Sequence, residues 1–244
     1  MATGSSIQIA SASFTNGLKA SLTCPDRTGL RGEYLLRENA TRSIRNIANL
    51  AAPAALIGAG TPVYNTNSVI LSGSASYGNG IAGIDTGLLH TPDVTVIAVR
   101  KKLLAGASAS SNTYLGASNN GFRGLQEYMG WSFYNNQGGT PPAVAALAVP
   151  ADTDFHFVAG VGKNAEKGII YLASGGVMSS NEGNTAGSAW VTSANTIKVC
   201  GIAGNYQMEL AYAAVYDRVL TPTQITEAYE ALKAYFATRN IVVS

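Results

Sequence analysis

The sequence predicts an all-β protein: a two-sheet antiparallel sandwich with one short helix at its C-terminal end. Three observations carry that expectation. Apolar residues come in short runs separated by Gly, Asn, Ser and Pro, which reads as many short strands. Several of these runs alternate with period two, as half-buried strands do. Clear helical periodicity occurs once, after Leu220. A length of 244 residues suits one large sandwich, which buries enough surface to fold without staples.

The clearest strands are Ser68–Leu71, Val94–Lys102, Trp131–Tyr134, Phe155–Val161, Gly168–Ala173, Thr196–Ile202 and Met208–Tyr216. In the last, Met208, Leu210, Tyr212, Ala214 and Tyr216 form one face, and Glu209, Ala211, Ala213 and Val215 the other. Both faces are mostly apolar, which predicts a central strand covered on both sides. Ser72–Gly83, Gly106–Gly121, Asn135–Pro142 and Ser179–Gly187 read as turns. Arg37–Ala52 reads as loop or a short helix. The C-terminal helix opens with Thr221, Pro222 and Gln224, a capping box with Pro at the first helical position. Ile225, Ala228, Tyr229, Leu232, Tyr235 and Phe236 then make one apolar face, and Asn240 can end the helix. It is expected to lie over one sheet edge and block edge pairing.

Composition excludes several classes. Charged residues are 12%, far below what a coiled coil or a disordered chain carries. A net charge of +2 excludes a strongly basic protein that binds nucleic acid by neutralising phosphates. The N-terminus has no Lys or Arg ahead of an apolar run, so no secretory leader is expected. The longest apolar stretch, Ile47–Gly60, is short and broken by Pro53, so no membrane insertion is expected. Cys24 and Cys200 lie far apart with no zinc-ligand spacing, and are expected to be two reduced, buried thiols.

The stretch ELAYAAVYDRVLTPTQI, Glu209 to Ile225, resembles the C-terminal signature of concanavalin A-like lectin/glucanase domains of the laminin-G-like type. Tyr216, Asp217, Arg218, Leu220, Thr221 and Gln224 carry that match. Val69–Gly73 with Ile84–Gly87, then Pro92–Val99, Asp154–Ala159 and Gly168–Leu172, fall in the order of that family's strands. The resemblance implies a jelly-roll sandwich over 30–244, with 1–29 an N-terminal extension that serves as an attachment segment. It also implies the kind of domain found in phage virion and tail proteins: localisation on a virion, or otherwise an extracellular or soluble protein, other virion proteins or a host-surface glycan as partners, and a homo-oligomer.

The glucanase branch of that family uses a Glu-x-Asp strand, because alternate positions put the two carboxylates of a retaining glycosidase on one face. No Glu-x-Asp occurs here; Asp152 and Asp154 are the closest carboxylate pair and read as a turn entering a strand. His90 and His156 read as structural. Gly78, Gly80 and Gly83 spell Gly-x-Gly-x-x-Gly, but without the strand before and helix after that a dinucleotide loop needs. Asn39-Ala-Thr41 is a chance glycosylation sequon. Asp85, Asp93 and Asp217 could serve calcium but are scattered, and no cofactor or metal is expected. Asp217 and Arg218 are expected to form a local turn and ion pair.

What remains is aromatic and amide side chains in loops. An aromatic face suits the C–H side of a sugar ring, and Asn suits its hydroxyls. The leading residues are Tyr77, Asn79, Tyr134, Asn135, Asn136, Trp190, Asn205 and Tyr206, with Tyr64, Asn65, Asn67, Tyr114, Asn119, Asn120, Asn181 and Asn184 behind them. The expected function is a non-catalytic carbohydrate-binding or adhesion module of a phage particle. The alternatives are a purely structural virion protein mediating assembly and, less favoured, a glycoside hydrolase.

Overall fold

The computed structural model describes residues 25–73, 81–105, 113–117, 122–126, 130–133, 145–147, 154–164, 166–184, 194–201 and 206–244. Two antiparallel sheets face each other, and a helix covers the far side of one of them. The first sheet runs β13 (Val177–Asn184), β12 (Lys167–Ser174), β11 (His156–Lys163), β6 (Val94–Ala105), β15 (Tyr206–Tyr216), β4 (Val69–Ser72), β3 (Val63–Tyr64). Its remaining strand, β1 (Leu30–Leu35), pairs with the second half of β15, while β4 pairs with the first half. The second sheet runs β10 (Ala145–Ala146), β9 (Gly130–Phe133), β8 (Phe122–Gln126), β7 (Thr113–Gly116), β14 (Thr196–Cys200), β5 (Gly83–Leu89), β2 (Ala55–Ile57). The helices are α1 (Ala40–Ser43) and α2 (Pro222–Ala237).

The first sheet separates two apolar cores. Val94, Val96, Ala98, Val158, Ile170 and Leu172 face the second sheet. Their neighbours Ile97, Val99, Phe157, Ala159, Tyr171 and Ala173 face α2. The alternation of period two that looked half-buried in sequence is therefore buried on both sides, as expected for β15. Burying the α2 face against the sheet supplies most of its stability, because a helix of this length is marginal alone. All six predicted apolar residues of α2 are buried, and Tyr229 meets Phe157 edge to face at 5.5 Å.

The cap is the predicted one. The Thr221 hydroxyl accepts from the Gln224 N–H at 3.3 Å, and the Gln224 side chain accepts from the Thr221 N–H at 2.8 Å. The C-terminal end closes as a Schellman motif on Asn240, at φ 58: Ile241 N–H reaches Phe236 O at 3.1 Å and Asn240 N–H reaches Ala237 O at 3.3 Å.

Four expectations need correction. First, α2 lies over a sheet face and not over an edge, because its apolar stripe needs the broad apolar surface of β6, β11 and β15. Second, β15 does not keep one alternation. A register shift between Leu210 and Tyr212 turns the strand over, so Met208 and Leu210 face the second sheet while Tyr212, Ala214 and Tyr216 face α2. Third, much of Ser179–Gly187 is strand: β13 follows a two-residue turn at Gly175 and Gly176, both at positive φ. Its polar sequence suits a sheet edge facing water. Within Gly106–Gly121, likewise, β7 is strand, all four of its residues buried. Fourth, Asp217 and Arg218 do not pair with each other. Arg218 binds Asp26, and Asp217 binds Arg31 at 3.3 Å.

Candidate binding site

An open cleft of about 560 Å³ lies where the end of β1, the α1 loop and the C-terminal end of α2 meet. Leu35, Ile47 and Tyr235 form its apolar lining, and Arg37, Arg42, Arg45 and Arg239 its polar lining. Its size is that of a small-molecule site.

Local chemistry fixes the arginines' backbone. Asn39 caps α1, its side-chain oxygen accepting the Arg42 N–H at 3.1 Å. The buried Ser43 hydroxyl accepts from Arg37 N–H and donates to Arg37 O, both at 2.9 Å. The buried Asn46 accepts the N–H groups of Glu33, Ala48 and Asn49 at 3.1, 3.0 and 3.2 Å, and donates to Arg31 O at 3.1 Å. One amide thereby clamps the α1 loop to β1. On the other wall, the Arg239 guanidinium stacks on the Tyr235 ring with its carbon 3.7 Å from the ring centre. It also donates to Tyr235 O at 3.1 Å and to the Thr238 hydroxyl at 2.7 Å.

The charges in the cleft are unequal. Glu38 is paired with Arg42 at 2.6 Å and lies 3.9 Å from Arg37. Glu33, fully buried below, is engaged by Arg27 at 3.0 Å and by the Tyr212 hydroxyl at 2.9 Å. Among the described residues the Arg45 guanidinium has no acceptor. The Tyr235 hydroxyl is buried beside the Arg239 guanidinium. Burial pushes that hydroxyl's pKa up, and the neighbouring Arg239 and Arg37 only partly offset it.

The leading loop residues fare differently. Tyr77, Asn79, Tyr134, Asn135, Asn136, Trp190 and Asn205 lie outside the described residues, as do Asn119 and Asn120. Tyr206 is described and is not a ligand platform: it is fully buried and donates its hydroxyl to Thr113 O at 2.6 Å. Its side chain points inward because β15 begins there and alternates it with Met208 into the core. Tyr114 is also in the core, beside the buried Arg100 guanidinium at 5.6 Å, and burial pushes its pKa up to about 12. The Tyr64–Asn67 turn does approach the cleft. Asn65 O accepts the Glu38 N–H at 2.7 Å, and Asn67 donates to Arg239 O at 3.2 Å. The Asn65 amide itself is held by Ser68 and Glu209. Asn181 lies exposed on β13.

Catalytic and metal alternatives find little geometry. Asp154 is described and Asp152 is not. His156 is buried, its Nδ1 at 3.2 Å from Ala173 O and 3.1 Å from the Ser244 hydroxyl, a structural role. His90 is also buried. Gly83 opens strand β5, so no helix follows the glycine motif. Asp85 and Asp93 accept backbone N–H groups of Gly87 and Asn164, both at 2.9 Å. Among the described residues no three His, Cys, Asp or Glu converge as a metal site. Cys200 is a free, buried thiol, and Cys24 lies outside the described residues. Among the described residues no helix is long and apolar enough to cross a membrane.

No family model matches the chain, and no curated protein sequence matches it. Solved structures do match. A botulinum neurotoxin serotype D binding domain aligns with a TM-score of 0.57 at 11% identity, over 84% of this chain and 51% of that one. The serotype D ligand-binding domain in complex with N-acetylneuraminic acid aligns equally well, with a TM-score of 0.57 at 13% identity over the same shares. A mutant of Trypanosoma rangeli sialidase displaying trans-sialidase activity aligns at 0.54 and 13%, over 92% of this chain and 38% of that one. The chain shares their sandwich. It spans about half the length of the toxin domains, and at these identities the likeness is one of fold.

The four arginines were missed in sequence, although a signal was there. Arg37, Arg42 and Arg45 fall within nine residues of a chain with only 16 Lys and Arg in 244. The apolar pattern of Arg37–Ala52 points to loop or short helix, whereas its charge points to the cleft.

Proposed function

We propose that the chain is a non-catalytic carbohydrate-binding module, carried on a phage particle and used to adhere to a glycan on the host surface. The observation that carries the reading is the arginine-lined cleft, set on a sandwich of the type that a N-acetylneuraminic acid-binding domain also has. The cleft offers guanidinium donors on a backbone fixed by Ser43 and Asn46, which suit the oxygens of a saccharide. The carboxylates beside it, Glu33 and Glu38, are held in ion pairs, so neither is poised for proton transfer. The phage setting rests on the sequence resemblance. In that reading the chain is a homo-oligomer attached to other virion proteins through residues 1–29, and Tyr134, Asn135, Asn136, Tyr77 and Asn79, which lie outside the described residues, make further contacts.

A glycan array and a host-cell adhesion assay with the purified chain test the proposal. Retention on a defined set of glycans, with those glycans intact after incubation, is the expected result. Binding to no glycan and no host cell would overturn it and favour the structural virion role. Release of shortened sugar would overturn the non-catalytic part.

A further inference from the structure

We infer that the cleft between β1, α1 and α2 takes the anionic group of an acidic saccharide, with the sugar's carboxylate held by Arg37 and Arg45. This deepens the carbohydrate-binding reading and rests on it. Four observations support it.

The first is the charge imbalance. Among the described residues four guanidinium groups line the cleft and Glu38 answers two of them, while the nearby Glu33 is already engaged by Arg27. Arg42 and Arg239 have ordinary structural tasks. Arg42 makes an i, i+4 pair with Glu38, and Arg239 caps a carbonyl at the C-terminal end of α2, where a cation is favoured. Arg37 and Arg45 are left with the surplus. Like charges gathered around a part-enclosed space repel, and a bound anion removes that cost.

The second is the vacant bonding capacity. Arg45 has no acceptor among the described residues. Arg45 is also exposed, so its guanidinium donors are open to a bound acceptor.

The third is the type of donor. Guanidinium is planar and matches a carboxylate with two parallel bonds, which lysine cannot do. Among the described lining residues Tyr235 carries the one aromatic ring, and Arg239 already covers it. What the cleft presents is suited to an oxyanion first and to hydroxyls second.

The fourth is preorganisation. Ser43 fixes the backbone of Arg37, and Asn46 fixes the loop after Arg45, so the backbone needs no ordering on binding and only the side chains do.

The experiment is titration calorimetry of the full chain with methyl glucuronide, methyl glucoside and inorganic sulfate, at low and at physiological salt, followed by the Arg45→Ala and Arg37→Ala variants. The uronide is expected to bind, to lose affinity as salt rises, and to lose about tenfold or more on either substitution. The glucoside is expected not to bind at the same concentrations. Thermal melting of each variant separates lost binding from lost folding, and Arg45→Lys, which keeps charge without the fork, is expected to restore only part of the affinity. Equal binding of uronide and glucoside, or uronide binding indifferent to both substitutions, overturns the inference. So does sulfate binding as tightly as the uronide, which would make the cleft an anion site without a sugar. If neutral glycans on the array are retained by Arg45→Ala as well as by the parent, the carbohydrate-binding reading stands and this inference fails. If no saccharide binds at all, both fail.

Discussion

The two ends of α2 carry the same kinds of side chain and use them differently. At the N-terminal end Asp26 accepts from both Arg218 and Gln224, and Asp217 accepts from Arg31. Two arginines meet two aspartates. The Tyr216 hydroxyl donates to Asp26 O at 3.0 Å, and Thr95 bridges Arg218 O and Leu220 N–H at 2.8 and 3.1 Å. Acids at a helix N-terminus are also favoured by its dipole. At the C-terminal end, among the described residues, four arginines line a cleft in which Glu38 answers two of them, the nearby Glu33 being engaged by Arg27. Matched charge ties the segment before β1, the last strand and the helix together. Unmatched charge does no such work, and a cleft that holds it stable is set up for an outside partner.

The comparison breaks most forcefully at the middle of α2, which holds both ends against the sheet. Leu232 is almost fully buried there. Leu232→Ala is expected to cost about 2–5 kcal/mol in chemical denaturation, because the side chain leaves a cavity. It should weaken ligand binding as well, since the Tyr235 wall moves with the helix. A loss below that range would mean that α2 is held by its ends and not by its face.

Asp26→Ala comes next, at about 1–3 kcal/mol, as it leaves the partly buried Arg218 and Gln224 donors without their acceptor. The matched end should then lose stability while uronide affinity at the other end stays unchanged. A fall in affinity would show that the two ends are coupled through the helix.

How legible each end was in sequence follows from distance along the chain. The N-terminal cap is legible in sequence because Thr221, Pro222 and Gln224 are neighbours and the chemistry is local. Asp26, which completes it, is not, because it arrives from the far end of the chain. The cleft has the same difficulty: Arg37, Arg42 and Arg45 cluster in sequence, but Arg239 and Tyr235 join them only through the fold. The sandwich was legible from period-two runs, yet the phase of β15 was not, since a register shift leaves no mark in a strand apolar on both faces. The edge strand β13 was hidden for the opposite reason, its polar sequence being what an exposed edge requires.

Thr221→Ala is expected to cost about 0.5–2 kcal/mol, because the Gln224 N–H loses its acceptor. Gln224 also binds Asp26, so the effect should shrink in an Asp26→Ala background if the two form one network. Additive losses in a double-mutant cycle would separate cap from anchor.

The smallest stability effect should come from the residue with the largest expected effect on binding. Arg45 is exposed and has no acceptor among the described residues. Arg45→Ala should therefore leave stability within about 0.5 kcal/mol of the parent, and at low salt its sign should be stabilising, since one of several repelling charges is gone. Glu38→Gln should do the reverse. It removes the one carboxylate that answers Arg37 and Arg42, so it should destabilise slightly at low salt and less as salt rises. The two substitutions thus act with opposite sign on folding if the arginines repel one another across the cleft. Should Arg45→Ala destabilise as much as Asp26→Ala, Arg45 would be a structural group like Arg218, and the contrast between the two ends of the helix would disappear.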